Sequence, residues 1–424
     1  MKILWFTNTP CSAFEKLGMN ISSGGWLMSL EKELNNEIDI ELAICFYTNQ
    51  NIKPFKYYGT QFYPVFRKGK KYKFSRLINR IFPDGNDEYY IKKLINVIDI
   101  FKPDLIQVHG TEDNFGLVQF HTKIPVVISI QGILNSITEK YFSGIPYRTV
   151  LRYEGIISKI LALDIKRSYK LLKRKSEHEK RTLKEAKYII GRTDWDRRIS
   201  SILSLQSQYF VGNEILRPEF YKNKWNKKRF DNPIQIVSIS GDALYKGFET
   251  IVSTSHILKQ NNNLKFVWKV IGLNENCNIV KIVKKWKGLN FHNLNIQLLG
   301  YKNENELIEI LLKSDIYCQT SHIENSPNSL CEAMLLGMPI IASYAGGTCS
   351  LLKDKEEGLL IQDGDSYALA GAIIELKNNY PMACEYGNAA KIKSFQRHNS
   401  KLVKEEYLKI YNKMIADRNK REKL

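Results

Sequence analysis

The stretch SHIENSPNSLCEAMLLG, residues 321–337, places two glutamates, Glu324 and Glu332, on either side of a proline. Ser326 followed by Pro327 predicts the start of a helix, because serine is a good N-cap and proline suits the first helical position. The glycine at the end of the stretch predicts where this helix stops. Glu332 then lies among leucine, cysteine, alanine and methionine side chains, where an unpaired carboxylate would be strongly destabilising. The sequence therefore predicts hydrogen-bond donors beside Glu332.

Two sources of these donors are open. A nearby lysine or arginine would make Glu332 a buried partner of a structural ion pair. The neighbouring hydroxyls of a ribose would also serve, because a carboxylate accepts hydrogen bonds from both. The free amides of Asn328, Ser329 and Leu330 are expected to point out of the helix N-terminus and to form an anion site. A ribose-binding acid next to an anion site favours a nucleotide ligand.

Short apolar runs alternate with segments of helical period on both sides of this stretch. Strands are predicted at residues 2–7, 40–46, 104–110, 126–132 and 188–193, and then at 234–240, 265–272, 295–300, 315–321, 339–344 and 358–362. Helices are predicted after Gly25, at 89–101, within 150–186, and at 247–259, 304–313, 327–336 and 366–378. This alternation predicts an α/β fold with parallel sheets between layers of helices, whose ligands bind at the carboxyl ends of the strands.

The length of 424 residues predicts two domains of similar size. A polar, basic and aromatic segment at residues 211–233 interrupts the alternation and is predicted to connect the domains. The first domain is then residues 1–210, and the second is residues 234–402. A helix at about residues 403–424 is expected to pack back onto the first domain.

Cysteine usage and hydropathy indicate a cytoplasmic protein. The seven cysteines form no CxxC pair, so free thiols in a reducing compartment are predicted. The apolar run at the N-terminus is too short for a signal peptide, and no stretch reaches the ~20 apolar residues that span a bilayer. No spacing typical of a metal site occurs, and no metal or other cofactor is predicted.

The quoted stretch resembles the E-x7-E signature of retaining glycosyltransferases with the GT-B fold, family 4, the "group 1" transferases. The residues that match it in order are Glu324, Glu332, Ala333, Met334, Gly337 and Pro339. Similarity extends over roughly residues 234–380, where SDIYCQTS precedes the signature, AGGT follows it, and DALYKGFETIV carries a Lys-Gly helix start. The resemblance implies two Rossmann-like domains facing across a cleft.

The same resemblance implies a reaction. A sugar would move from a nucleoside-diphosphate sugar to a hydroxyl of a glycan or lipid-linked glycan, with retention of configuration and without a metal, as in surface polysaccharide biosynthesis. Glu332 would bind the ribose, Glu324 would contact the donor sugar near the reacting carbon, and the amides of residues 328–330 would hold the diphosphate. Lys246 would neutralise the departing diphosphate, unless it is a solvated lysine at a helix start.

One departure from the family pattern concerns the cation that often accompanies this lysine. The family commonly has an arginine five or six positions earlier, where this chain has Gly241 and Ser240. Another cation must then help to stabilise the leaving group. By position in the sequence, Arg192 and Arg217 are the candidates.

The first domain offers weaker candidates for the cleft. Gly24 and Gly25 resemble a glycine-rich loop whose backbone approaches phosphates, although a plain turn is the alternative. Gln131 stands where many relatives have a histidine that contacts the donor sugar; an amide can hydrogen-bond a hydroxyl but cannot carry a proton. His109 would serve the acceptor or donor, or be a structural strand-end residue, and Arg192 would lie near the cleft on the donor side.

The net charge of +19 is concentrated in part at residues 66–82 and 166–181. Peripheral docking at the inner face of an anionic membrane, near a lipid-diphosphate acceptor, would explain these basic segments; a solvated basic face is the alternative. No nucleic-acid-binding module is recognisable, so nucleic acid is not an expected partner. The rival functions are another GT-B sugar-phosphate enzyme and a non-catalytic nucleotide-binding scaffold of a polysaccharide-assembly complex.

Overall fold

The computed structural model describes residues 1–18, 25–67, 87–155, 164–260 and 264–421. Gly24 and most of the basic segment 66–82 lie outside these ranges. Within the described residues the strands form two sheets, one in each half of the chain. The described helices include none with the length and apolar character needed to cross a bilayer.

The first sheet has the order β3-β4-β2-β1-β5-β6-β7-β8. Its strands are β1 (Lys2–Thr7), β2 (Glu41–Thr48), β3 (Phe55–Tyr57), β4 (Thr60–Phe66), β5 (Leu105–His109), β6 (Val126–Ser129), β7 (Tyr188–Gly191) and β8 (Gln208–Val211). Its helices are α1 (Ala13–Lys16), α2 (Gly25–Asn35), α3 (Asp87–Phe101), α4 (Leu134–Lys140), α5 (Tyr147–Tyr153), α6 (Ile165–Lys184) and α7 (Asp194–Leu203). The β3–β4 pair is antiparallel, whereas the other described pairs are parallel.

The second sheet is parallel and has the order β11-β10-β9-β12-β13-β14. Its strands are β9 (Ile234–Ile239), β10 (Phe266–Ile271), β11 (Ile296–Gly300), β12 (Ile316–Gln319), β13 (Ile340–Ser343) and β14 (Leu359–Ile361). The helices of this half are α8 (Pro218–Lys222), α9 (Phe248–Gln260), α10 (Asn278–Lys287), α11 (Glu304–Leu312), α12 (Asn328–Leu336), α13 (Thr348–Leu351), α14 (Ser366–Asn378), α15 (Tyr380–Arg397) and α16 (Ser400–Arg421). The predicted α/β class with two parallel-sheet domains is confirmed.

Two connections tie the halves together. The segment predicted as the connection, residues 211–233, contains α8, and its Phe220 and Trp225 pack in one core cluster with Leu330 and Met334 of α12. The last described helix, α16, returns to the first sheet. Its side chains Val403, Tyr407, Ile410, Tyr411 and Met414 join the core that contains Ile3, Trp5, Leu27 and Leu30.

Helix α12 begins one residue later than predicted. Pro327 is its N-cap, with an extended ψ of 115°, so Ser326 lies outside the helix. The C-cap is Gly337, as predicted, because its φ of +84° favours glycine. The helix is buried along almost its whole length, which places Glu332 in the interior with only 4% of the residue exposed.

Candidate active site

The lysine and the first glutamate of the two motifs meet in the structure. Nζ of Lys246 donates a hydrogen bond to Oε1 of Glu324 at 2.5 Å, although 78 residues separate them. Lys246 follows β9 and Glu324 follows β12, and these strands are neighbours in the second sheet. The contact therefore lies at the carboxyl ends of parallel strands, where such sheets bind ligands. Burial opposes the charge of Lys246, but Glu324 more than offsets it and raises the lysine pKa.

Glycines allow these loops to approach one another. Gly247 has a φ of +73°, and a Cβ there would lie 1.9 Å from the carbonyl oxygen of Thr320. Gly346 has a φ of +55°, and its Cβ would lie 2.0 Å from the carbonyl oxygen of Glu324. That same oxygen accepts a hydrogen bond from the amide of Gly347 at 2.9 Å. The Gly-Gly turn of AGGT thus fixes the loop that carries Glu324.

The second glutamate is paired with an arginine. Nε and Nη2 of Arg217 donate to the two carboxylate oxygens of Glu332, at 2.7 Å each. Burial raises the pKa of Glu332, while the hydrogen bonds and charge of Arg217 oppose that shift. Of the two sources of donors left open by the sequence, the structure shows a cation, because Arg217 donates to both carboxylate oxygens. The assignment of Glu332 to a ribose stays a prediction.

The N-terminus of α12 keeps part of the predicted anion site. Within the described residues, the amides of Asn328 and Ser329 have no hydrogen-bond partner. The amide of Leu330 differs, because it donates to the carbonyl oxygen of Pro327 at 3.0 Å. Two of the three predicted amides are therefore available to an anion.

Asn325, which follows Glu324, joins the two domains and was missed by sequence reasoning. Its Oδ1 accepts from Oγ1 of Thr193 at 2.7 Å, and its Nδ2 donates to Asp196 at 2.8 Å. Nδ2 also lies 3.3 Å from the backbone oxygen of Gln131. Gln131 is thus placed at the cleft beside the Glu324 loop. A polar residue adjoining a motif glutamate was the available signal for Asn325.

His109 does not reach the cleft. It is fully buried, with its ring centroid 4.6 Å from that of Trp5 and 5.7 Å from that of Trp26. Burial, helped by the charge of Arg192, lowers its pKa well below the usual value. The predicted catalytic role is therefore not supported by its placement, and the structural alternative describes it. The last residue of a strand can face the core as well as the ligand edge, and here it faces the core.

Arg192 is also an interior residue. Only 4% of it is exposed, its guanidinium stacks over Trp26 at 4.2 Å, and Nη1 donates to the buried Glu214 at 3.3 Å. The guanidinium of Arg192 is thus held between Trp26 and Glu214 in the interior. Of the two candidate cations, only Arg217 lies beside a motif residue.

Other parts of the site follow from local geometry. Gly25 begins α2 and lies against Arg217, since a Cβ at Gly25 would be 3.0 Å from Cγ of the arginine. Asp365 is the N-cap of α14 and accepts from the amide of Ala368 at 2.8 Å. Glu112 was not foreseen. It follows β5, accepts from Asn8 at 3.0 Å, and has a pKa raised chiefly by burial.

The part of the chain that carries this site is similar to known glycosyltransferases. Residues 219–393 match the sequence model of the family "Glycosyl transferases group 1". An uncharacterized glycosyltransferase of Methanocaldococcus jannaschii is 28% identical over 195 residues, covering 46% of this chain and 49% of that protein. The poly(ribitol-phosphate) alpha-N-acetylglucosaminyltransferase of Staphylococcus aureus is 24% identical over 212 residues, covering 50% of this chain and 42% of that protein. The chain spans about half the length of the curated relatives it matches.

The fold is shared with a solved structure over almost the whole chain. The sucrose-phosphate synthase from Thermosynechococcus elongatus superposes with a TM-score of 0.71 and 14% identity, covering 98% of this chain and 99% of that chain. The predicted GT-B fold is confirmed. The match to residues 219–393 confirms the predicted resemblance to the group 1 transferases around the E-x7-E stretch. The retaining mechanism and the acceptor stay predictions.

Proposed function

We propose that this protein, which has the GT-B fold and a group 1 glycosyltransferase domain, is a retaining glycosyltransferase. It transfers a sugar from a nucleoside-diphosphate sugar to a hydroxyl of a glycan or lipid-linked glycan. The observation that carries the proposal is the 2.5 Å contact between Lys246 and Glu324 at the carboxyl ends of β9 and β12. A cation and an acid meet there at the edge of the sheet where a sugar diphosphate would bind.

Each residue of this pair has a separate task. Lys246 stabilises the negative charge that develops on the departing diphosphate, assisted by the amides of Asn328 and Ser329. Glu324 accepts hydrogen bonds from sugar hydroxyls near the reacting carbon, and it orients Lys246 through their 2.5 Å contact. The proposed reaction needs no metal ion, because the amides of Asn328 and Ser329 and the ammonium of Lys246 bind the diphosphate.

Every bond that breaks or forms in the proposed reaction belongs to the donor or the acceptor. The acceptor hydroxyl approaches the anomeric carbon on the face from which the diphosphate leaves. The bond between that carbon and the diphosphate oxygen breaks, and a bond to the acceptor oxygen forms. The departing diphosphate takes the hydroxyl proton. The protein contributes orientation of both substrates and stabilisation of the leaving group.

The pairing of Glu332 with Arg217 is compatible with a ribose on the same carboxylate. Each carboxylate oxygen can accept two hydrogen bonds, and Arg217 donates one to each oxygen. The ribose hydroxyls would use the remaining lone pairs. Glu332 is therefore assigned to the ribose, with Arg217 keeping the buried acid ionised.

The acceptor is assigned to surface polysaccharide synthesis at the inner face of the membrane. One relative, by its name, glycosylates poly(ribitol-phosphate), which supports a cell-surface glycan as acceptor. The described part of the basic surface, α6, has nine lysines and arginines and an exposed Leu171. An anionic leaflet would attract this face.

A second candidate is a non-catalytic scaffold that retains a degraded donor site. The observation that favours it is the Arg217–Glu332 pair, because the arginine stabilises the buried carboxylate without any ligand. Nucleotide binding and sugar turnover separate the two candidates.

The test is a thermal-shift and calorimetric screen of the protein against UDP-, GDP- and ADP-sugars. One of these donors should raise the melting temperature of the wild type, and E332Q should abolish that shift. E31Q is the matched control, because Glu31 is a similarly buried acid whose partners are Ser12 and Thr60 instead of motif residues. Loss of the shift in both variants, or no shift in the wild type, contradicts the proposal. Binding without hydrolysis or transfer of the donor favours the scaffold, and the anomeric configuration of a product tests retention.

A further inference from the structure

Arg217 turns only one edge of its guanidinium toward Glu332. Nε and Nη2 donate to the carboxylate, whereas Nη1 has no hydrogen-bond partner among the residues that the structure describes. The side chain is 25% exposed, but that of Glu332 is only 5% exposed. A guanidinium has five N–H donors in a fixed plane. Arg217 therefore keeps charged donors that are accessible from outside the ion pair.

These donors lie where the two domains meet. The stem of Arg217 crosses the N-terminus of α2, since a Cβ at Gly25 would be 3.0 Å from its Cγ and 3.1 Å from its Cδ. The guanidinium also lies over the ring of Phe220 at 4.8 Å, which restrains its plane. An accessible cation beside the amide end of an eleven-residue helix is a favourable position for an anionic group.

The site needs a further cation to balance the negative charge of a bound diphosphate. Lys246 is already engaged by Glu324, and the preceding positions Ser240 and Gly241 carry no charge. A leaving diphosphate has several negative charges, so one engaged lysine and two amides compensate it only in part. Arg217 uses two of its three nitrogens on Glu332, so it has donors to spare.

We propose that Arg217 binds the diphosphate of the donor through Nη1 while Nε and Nη2 stay on Glu332. The inference rests on the proposed function, because it needs a nucleotide whose ribose lies on Glu332. One side chain then joins the ribose-binding acid to the leaving group. The fork geometry of arginine is required, since lysine cannot present two donors to the acid and others to a phosphate at a fixed spacing.

The experiment compares nucleoside diphosphates with the same nucleosides lacking phosphate. Calorimetry or competition gives Kd for UDP, GDP and ADP, and for uridine, guanosine and adenosine, with the wild type and R217Q. For the base that the wild type binds, the ratio of the nucleoside Kd to the diphosphate Kd should fall by roughly 10- to 100-fold in R217Q. If R217Q also disturbs Glu332, the loss of ribose contacts weakens binding of the nucleoside and of the diphosphate equally. That loss therefore cancels in the ratio of the two Kd values.

Two further variants complete the test. R217K keeps a charge beside Glu332 without the fork and should give an intermediate ratio; if R217Q fails to fold, R217K alone decides. K222Q removes an exposed lysine of α8, the helix that Arg217 caps, and should keep the wild-type ratio. An unchanged ratio in R217Q and R217K overturns the inference and leaves the proposed function intact. Failure of the wild type to bind any of the three diphosphates overturns both.

Discussion

Nζ of Lys246 and Oε1 of Glu324 lie 2.5 Å apart, so the loops after two neighbouring strands share one ion pair at the ligand edge of the second sheet. A donor that enters this edge replaces part of that pairing with contacts to its diphosphate and its sugar. The pair is therefore expected to matter more for turnover than for folding, because both side chains remain partly accessible to solvent.

We expect K246A to lower kcat/KM by roughly 100- to 1000-fold, the effect typical of losing one group that stabilises developing charge. E324Q should lower kcat more than it changes donor affinity. The measurement is steady-state transfer or donor hydrolysis, together with calorimetric donor binding. K259A removes an exposed lysine at the end of α9 and should behave as the wild type. Normal turnover by both K246A and E324Q would contradict the assignment of Lys246 to the diphosphate and of Glu324 to the donor sugar.

The Gly-Gly turn gives a prediction about the position of Glu324. A methyl group at Gly346 would lie 2.0 Å from the carbonyl oxygen of Glu324, and the φ of +55° adds strain. G346A is expected to destabilise the protein by about 1–3 kcal/mol and to reduce turnover, because the loop must shift. G288A is the matched control: its φ is +63°, but nothing lies within 4 Å of the added methyl group. Equal losses of stability and activity in the two variants would show that strain alone matters.

Asn325 gives a prediction about the contact between the domains. N325D replaces an amide that donates to Asp196 at 2.8 Å with a second negative charge. Repulsion between the two acids should open the cleft and raise KM for the donor about tenfold. Small-angle scattering should show a larger radius of gyration than in the wild type. N305D, at an exposed position of α11, is the control. A compact N325D protein with an unchanged KM would contradict this role.

Stability should depend on pH through His398. Burial, the largest influence, lowers its pKa from the ordinary 6.5 to about 4. The unfolded chain then binds a proton that the folded protein does not bind, so folding stability rises with pH between about 4 and 6.5. The contribution is complete above pH 6.5 and decreases as the pH falls toward 4, by about 3 kcal/mol in total.

Urea unfolding between pH 4 and 7 measures this dependence. H398N removes the titrating ring and should flatten the curve in that range, although it lowers stability at neutral pH. H256N changes an exposed histidine and should leave the slope as it is in the wild type. An unchanged slope in H398N would show that another group controls the acid side of the profile.

The basic face of α6 gives a prediction about membranes. K166Q/K170Q/K173Q removes three exposed lysines from this helix. Binding to phosphatidylserine vesicles should weaken, since each lysine near an anionic surface contributes about 1 kcal/mol. K281Q/K284Q/K285Q makes the same charge change on exposed positions of α10 in the second domain and should bind as the wild type does. Equal loss in both triple variants, or no binding by the wild type, would contradict docking through α6.

The sequence predicted those parts of the fold whose signals are local. β1 was predicted at its observed bounds from one apolar run, and α14 was predicted at its observed bounds from its helical period. The hairpin of β3 and β4 was missed, because its aromatic run contains Pro64, which argues against a strand. Helix α10 was missed as well. Its buried residues Ile279, Val280, Ile282 and Val283 do follow a helical period, so a local signal for this helix was present.

For the site, the motif residues could be found but their partners could not. Lys246 and Glu324 were predicted to share a cleft, and the structure places them in contact. Arg217 lies in a basic segment without periodicity, so nothing in its pattern indicates that it pairs with Glu332. The orientation of His109 depends on how Trp5 and Trp26 fill the first domain, which no local pattern fixes.

Helix α16 lies at the end of the described chain but completes the core of the first domain. Tyr407, Tyr411 and Met414 are fully buried against strands from the beginning of the chain, and the hydroxyl of Tyr411 donates to Gln107 of β5. A ribosome makes these side chains after it has made the whole second sheet. The amino-terminal half therefore leaves the ribosome with an unfinished interior, and it reaches its final packing only after the later half has been translated.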